Sequence, residues 1–200
     1  MPSEQSKRKV YPTNYTKQGE GAWFHVYTPD TQFNTDGEFK VDLFLAPEDA
    51  KEIIDLYNKI VTETVELEGG TPSPDVQYRL VSEMTDKQMD SLTKSGYEPD
   101  PTWYRFCFRT DHHVKPRDKE EFYNKMIVVD KSGHPLVEDP DNKIGNGSKI
   151  RVAFQPYGWC HSGKTGCKMR LKGIQLIEHL GYSASGVAFT SMSEEEDIAF

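Results

Sequence analysis

The chain has 200 residues, which is enough for one domain with a sizeable core that needs no disulfide. Its net charge of −8 argues against a surface that attracts nucleic acid all round. The chain has three cysteines, an odd number, and no long apolar run. We therefore predict neither a signal peptide nor a membrane span. We therefore expect a cytoplasmic protein without a membrane segment.

The charges are distributed unevenly along the chain. Residues 20–100 hold eighteen acidic and six basic residues, whereas residues 142–173 hold seven basic residues and no acidic one. The last eight residues, SEEEDIAF, contain four acids. Because a local positive surface attracts polyanions even when the net charge is negative, residues 142–173 are the candidate for an anionic ligand.

The first elements are predicted to be two strands and a long helix. Aromatic and β-branched residues alternate in 21–29 and 38–47, and the turn-forming sequence NTDG separates them. A helix is expected from Pro47, which suits a first helical position, to about Glu68, since apolar residues recur along one face.

The second half is predicted to be mostly β. Residues 69–100 are polar and rich in turn residues, so we expect an insertion with a short helix from about Asp86 to Lys94. Beyond Gly181 the chain is too poor in apolar residues to fold alone, which predicts a linker and a flexible acidic tail at 183–200. Alternation of apolar and polar residues predicts strands at 103–110, 148–157 and from 167 onward, with a hairpin at 126–137.

The segment GWCHSGKT, Gly158–Thr165, matches the phosphate-binding loop of nucleotide hydrolases. That loop requires a buried strand before it and a helix after it, so that backbone N–H groups converge on phosphate. Here Pro156 precedes the segment, and the residues after Gly166 alternate as in a strand. We expect the tip of a long β-hairpin, and a nucleotide-dependent enzyme that uses Gly158–Thr165 stays as the alternative.

Three of the predicted strands combine an apolar face with a basic one, and aromatic residues accompany the cations. Single-stranded nucleic acid requires this combination, because Lys and Arg contact phosphates while aromatic rings stack on bases. The alternative is that these are ordinary solvated faces whose charges prevent aggregation. The predicted DNA-binding residues are Trp103, Arg105, Arg109, Lys149, Arg151, Tyr157, Trp159, Lys164, Lys168, Arg170 and Lys172.

The sequence IGNGSKIRVAFQPYGW, followed by a Lys/Gly-rich turn and CKMRLKGIQLIEHL, resembles phage-encoded single-stranded-DNA-binding proteins of the podovirus replication type. A Val-Val-Asp-x-x-Gly hairpin at 128–133 adds to the resemblance. It implies a mainly β protein with an OB-fold, a five-stranded antiparallel barrel with one principal α-helix. The implied domain spans 20–182, with 69–100 as an insertion, after an N-terminal arm at 1–19.

The C-terminal sequence EEEDIAF is similar to the tails of single-stranded-DNA-binding proteins of phages and bacteria. A terminal aromatic ring can fill an apolar pocket of a partner while the carboxylates meet basic residues around it. The resemblance implies that the tail binds the phage DNA polymerase, the helicase-primase or a host replication factor. We also expect it to compete with DNA for the basic sheet. The tail residues concerned are Glu194, Glu195, Glu196, Asp197 and Phe200.

The function expected from these observations is not enzymatic. The chain is predicted to coat and protect single-stranded DNA in phage replication and recombination, in the host cytoplasm. The resemblance further implies strand annealing and leaves a homodimer open. No cofactor or metal is predicted, since Cys160, His161 and Cys167 lack a Cys-x-x-Cys repeat. An acidic adaptor that binds only proteins is a third hypothesis.

Overall fold

The computed structural model describes residues 9–32, 34–116 and 119–181. Its two α-helices, Pro47–Glu68 (α1) and Asp86–Lys94 (α2), confirm both predicted helices. Thr85 precedes α2 and caps its N-terminus, because its hydroxyl accepts a hydrogen bond from the backbone N–H of Gln88. Within the described residues, neither helix is long and apolar enough to cross a membrane.

In the described ranges the structure also has eleven strands and one short 3-10 helix, Val81–Glu83. Three strands are long, and the others are pieces of two to eight residues. The strands are Asn14–Tyr15 (β1), Gly19–Asp30 (β2), Glu38–Leu45 (β3), Thr71–Pro72 (β4), Tyr78–Leu80 (β5), Tyr104–Asp111 (β6), His113–Val114 (β7), Phe122–Tyr123 (β8), Ile127–Val129 (β9), Lys149–His161 (β10) and Lys164–Glu178 (β11).

Five of these strands form a closed barrel. Their neighbour order is β10, β2, β3, β6, β11, and pairing of β10 with β11 closes the circle. The β6–β11 pair is parallel, whereas the other four pairs of the barrel are antiparallel. β1 extends the sheet beside β10, and β4 and β9 pair with β11. A five-stranded barrel with one principal helix is the architecture that the resemblance implied, and the parallel β6–β11 pair is its one departure from an antiparallel barrel.

The main core lies between the barrel and α1. Alternate strand residues such as Phe108, Phe154 and Leu171 are fully buried there, together with Ile60 of α1. Gly158 lets α1 approach β10 closely, because a Cβ at this position would lie 1.9 Å from Thr64 Oγ1.

A second, smaller cluster covers the other side of β2 and β3. Segment 69–100 supplies Val81, Met84, Leu92 and Tyr97, which bury Phe44 of β3. The predicted insertion therefore packs against the outside of the barrel sheet and covers part of the face that the strands direct away from the main core.

The hairpin of β10 and β11 turns through only two residues. Ser162 and Gly163 have φ angles of 50° and 74°, the left-handed values of a tight hairpin turn. The chain passes from β10 into β11 with no helix between them, which removes the setting that a phosphate-binding loop needs. Gly158–Thr165 therefore lies in a β-hairpin and does not form a phosphate-binding loop. The predicted hairpin at 126–137 is present but short. After β9, which pairs in parallel with β11, the chain turns at Asp130–Gly133 and returns to form an antiparallel bridge between Val129 and Pro135.

Candidate nucleic-acid interface

One face of the β10–β11 hairpin points away from α1 and from the core, and we call it the hairpin face. The intervening residues of both strands, such as Phe154 and Met169, are buried against the core. Residues on the hairpin face form successive cross-strand pairs, since paired residues of an antiparallel ladder point to the same side. These pairs are Arg151–Gln175, Ala153–Gly173, Gln155–Arg170, Tyr157–Lys168, Trp159–Gly166 and His161–Lys164.

Five cations of the hairpin face are exposed: Arg151, Lys164, Lys168, Arg170 and Lys172. Within 9–32, 34–116 and 119–181, none of the five forms an ion pair with a carboxylate. Lys172 stands in a register irregularity between the pairs of Leu171 and Gly173. These positive charges are therefore available to an anionic ligand.

Two half-buried aromatic rings lie among these cations. The guanidinium of Arg170 lies over the ring of Tyr157, 4.9 Å from its centroid. The indole of Trp159 lies across its cross-strand partner, because a Cβ at Gly166 would lie 2.5 Å from Trp159 Cζ2. The glycine thus leaves room for the ring to lie close to the strand. Each ring thus contacts a neighbouring residue of β11, Arg170 for Tyr157 and Gly166 for Trp159, as suits a platform for stacking.

Arg109 of β6 extends the positive surface at the edge of the hairpin. It lies opposite Arg170 in the β6–β11 register. Its side chain is 44% exposed, and Nη1 lies 3.3 Å from Glu38 Oε2. Because exposed ion pairs are weak, this pair leaves Arg109 able to exchange its partner for a phosphate.

Lys149 differs from the other cations predicted on β10. Its ammonium pairs with Glu20 of β2 at the end of the hairpin remote from the tip. The charge is thus compensated inside the protein, which corrects the expectation that Lys149 is a free cation beside Arg151.

The structure also corrects the predictions for Arg105 and Trp103. Arg105 is only 6% exposed, and its Nε donates to Asp42 Oδ2 at 2.6 Å. Its guanidinium lies 4.9 Å from the ring centroid of Trp23. Trp103 packs against the second cluster. The alternation along β6 was predicted correctly, but Trp23 of β2 lies over Arg105, and segment 69–100 buries Phe44, its register partner on β3. Arg105 therefore stabilises the barrel wall.

With this geometry established, comparisons with solved structures identify the fold. The structure of gp2.5, a single-stranded DNA-binding protein encoded by bacteriophage T7, matches 96% of this chain and 100% of its own, with a TM-score of 0.61 and 18% identity. The fold is a mainly β OB-fold, and it matches that of this phage protein.

A second match is the single-stranded DNA-binding protein of bacteriophage Enc34, with 92% of this chain and 87% of that chain covered, a TM-score of 0.56 and 9% identity. The same phage protein in complex with single-stranded DNA matches 87% of this chain and 96% of its own, again with a TM-score of 0.56 and 9% identity. No family model and no curated protein matches the sequence.

The cysteines do not form a reactive or metal-binding cluster in this OB-fold. Burial raises the pKa of the Cys107 thiol and that of the Cys167 thiol to about 12, so both stay protonated at neutral pH. In the described part of the chain, no three His, Cys, Asp or Glu side chains are grouped to hold a metal ion.

Several residues beside the hairpin face were not predicted. Tyr15, Lys125 and Ile127 are exposed and border the face, on β1 and at the start of β9. β1 has two residues, too few for alternation to indicate a strand, and the hairpin predicted at 126–137 did not indicate that β9 pairs with β11. The tail residues Glu194, Glu195, Glu196, Asp197 and Phe200 lie outside the described residues, so their roles stay predictions.

Proposed function

We propose that this protein binds single-stranded DNA along the hairpin face. The observation that carries the proposal is that five exposed cations, none with a carboxylate partner among the described residues, share one face of the β10–β11 hairpin with two half-buried rings. A fold shared with phage single-stranded-DNA-binding proteins, one of them solved with single-stranded DNA, supports it.

The cations and the aromatic rings of the hairpin face contact different parts of the DNA. Lys168, Arg170 and Lys172 contact phosphates and release condensed counterions, which makes affinity fall as salt rises. Tyr157 and Trp159 stack on bases, each contributing about 1–3 kcal/mol without distinguishing one base from another. The negative charge on the rest of the protein confines the polyanion to this face.

In the cell, the protein coats and protects single-stranded DNA during phage replication and recombination, in the host cytoplasm, and promotes annealing. It acts as a podovirus-type binding protein without catalytic activity, with the DNA-binding domain at 20–182 and the tail at 183–200. The tail recruits the phage DNA polymerase and helicase-primase. The sequence resemblance leaves a homodimer open. The sequence resemblance and the acidic tail ending in Phe200 support this part of the proposal.

The test compares two double variants with the same change of charge. Lys168→Ala/Lys172→Ala removes two exposed cations of the hairpin face, and we expect weaker binding of fluorescent oligo-dT. Because each phosphate contact contributes about 0.7 to the slope of log affinity against log salt, the slope should become shallower by about 1.4. Fluorescence anisotropy titrations over a series of salt concentrations measure it.

The control is Lys51→Ala/Lys59→Ala on α1. Both lysines are exposed, at 74% and 68%, and α1 packs on the opposite side of the hairpin. This variant should keep the salt slope of the unmodified protein. Equal slopes for both double variants would show that DNA does not use the hairpin face.

A further inference from the structure

A single cross-strand row on the hairpin face combines two large residues with two very small ones. Tyr15 of β1 pairs with Ala153 of β10, Ala153 pairs with Gly173 of β11, and Gly173 pairs with Ile127 of β9. Residues in one row point to the same side of the sheet. The side chains of Tyr15 and Ile127 therefore extend above the sheet, whereas Ala153 and Gly173 leave a depression between them.

This row forms a cleft of about 550 Å³, which we call the β1–β9 cleft. Tyr15 and Ile127 stand at its two sides and are 69% and 65% exposed, unusually open for large apolar side chains. Three strand spacings of about 4.8 Å separate their backbones, roughly 14 Å in all. After the two side chains are placed, that distance leaves room for a flat ring between them. The volume lies in the range of small-molecule sites.

The wall formed by β1 is held in place by Thr16, which is 1% exposed. Thr16 N donates to Val152 O at 3.0 Å, and Val152 N donates to Thr16 Oγ1 at 2.9 Å. Arg151 Nε also donates to Thr16 O, at 3.1 Å. The same residue thus fixes the strand that carries Tyr15 and the cation beside it.

The opposite wall is fixed against β11. A Cβ at Gly173 would lie 2.4 Å from Ile127 O, so the glycine permits the close approach of β9. Gln175 Nε2 donates to Lys131 O at 3.0 Å in the turn that follows β9. Both walls are therefore positioned before any ligand arrives, which lowers the entropic cost of binding.

The charge around the cleft has one sign. Arg151, Lys172 and Lys125 line it, and none of its lining residues is acidic. Arg151 and Lys172 lie on opposite sides of the central row along the hairpin, and both belong to the hairpin face. An occupant should accordingly have a flat apolar body and negative charge on both sides of it.

We infer that the β1–β9 cleft receives one unstacked nucleobase of the bound strand, an inference that rests on the proposed function. The base stacks on Tyr15 above Ala153 and Gly173, and Ile127 bounds the cleft on the far side. Its flanking phosphates contact Arg151 and Lys172. The bound strand thereby continues from Trp159 and Tyr157 near the tip to the cleft.

The test separates base contacts from phosphate contacts. Tyr15→Ala removes the stacking ring, and Ala153→Leu fills the cleft without changing any charge. Both should weaken binding of oligo-dT, Tyr15→Ala by about 5- to 150-fold, the range for the loss of one stacked base. Neither should change binding of an abasic oligodeoxynucleotide of equal length, nor the salt slope. Anisotropy titrations with both oligonucleotides measure these affinities.

Tyr15→Phe is the matched control, because it keeps the ring and should bind oligo-dT like the unmodified protein. Thermal unfolding checks that each variant is folded. If Tyr15→Ala does not fold, Ala153→Leu alone tests the inference. The inference is overturned if both variants bind oligo-dT normally while Lys168→Ala/Lys172→Ala is weakened. If the unmodified protein binds neither oligonucleotide, the proposed function itself fails.

Discussion

At the scale of single residues, Arg105 and Arg170 show how surroundings decide the role of one side-chain type. They lie on neighbouring strands, yet Arg105 is buried against Asp42 while Arg170 is exposed over Tyr157. A buried cation persists only when it is paired, because desolvation of a lone charge is costly. An exposed cation on a face without acids attracts an anionic ligand instead.

We expect Arg105→Met to lower the free energy of unfolding by about 3–5 kcal/mol, because it leaves the Asp42 carboxylate buried and unpaired. Urea denaturation measures the loss. The double variant Arg105→Met/Asp42→Leu should recover much of it, since no charge then stays buried. Folded Arg105→Met should bind oligo-dT normally. A variant of unchanged stability that had lost DNA affinity would instead make Arg105 a DNA contact.

At the scale of elements, α1 supports the hairpin near its tip. Gly158 of β10 faces Thr64 of α1, whose hydroxyl donates to Ile60 O at 2.6 Å. The contact leaves no space for a side chain on β10. It holds one side of the hairpin against the helix, so the side that carries the cations stays exposed.

Gly158→Ala should therefore lower the free energy of unfolding by about 1–3 kcal/mol, the usual cost of overpacking. Adding Thr64→Ala should recover part of this loss, because it removes the hydroxyl that a new Cβ would meet. Thr62→Ala, at an exposed position of the same helix, is the control and should give additive losses. Additive losses with Thr64→Ala as well would show that this contact does not limit the packing. Urea denaturation of all variants decides it.

At the scale of the whole molecule, charge is segregated into an acidic body, a basic hairpin face and an acidic C-terminal sequence. A free anionic segment on the same chain has a high effective concentration at a cationic face. DNA must displace such a segment, and salt weakens both interactions.

Truncation at Ser193, which removes 193–200, should therefore tighten binding of oligo-dT at low salt and have little effect at high salt. The same truncation should abolish capture of the phage DNA polymerase in a pull-down. Phe200→Ala is the matched control, because it keeps every acid: it should weaken capture while leaving DNA affinity nearly unchanged. Unchanged DNA affinity after truncation would refute competition by the tail.

Local signals in the sequence determined the helices and the strand alternation. Pro47 and Gly69 bracket α1, and the period of two in 167–172 placed the cations of β11 on one face. Such features depend on residues within a few positions of each other, so the sequence alone indicates them. Seven of the predicted DNA-binding residues accordingly lie on the hairpin face: Arg151, Tyr157, Trp159, Lys164, Lys168, Arg170 and Lys172.

Only the tertiary structure decided which basic faces stay open and where the β1–β9 cleft lies. Arg105 alternates as predicted, but Trp23 of β2 lies over its guanidinium and segment 69–100 buries its register partner Phe44. The cleft joins Tyr15, Ile127, Ala153 and Gly173, which are remote in sequence and meet through strand register. Alternation gives the side to which a residue points, whereas coverage and register depend on pairing between distant segments.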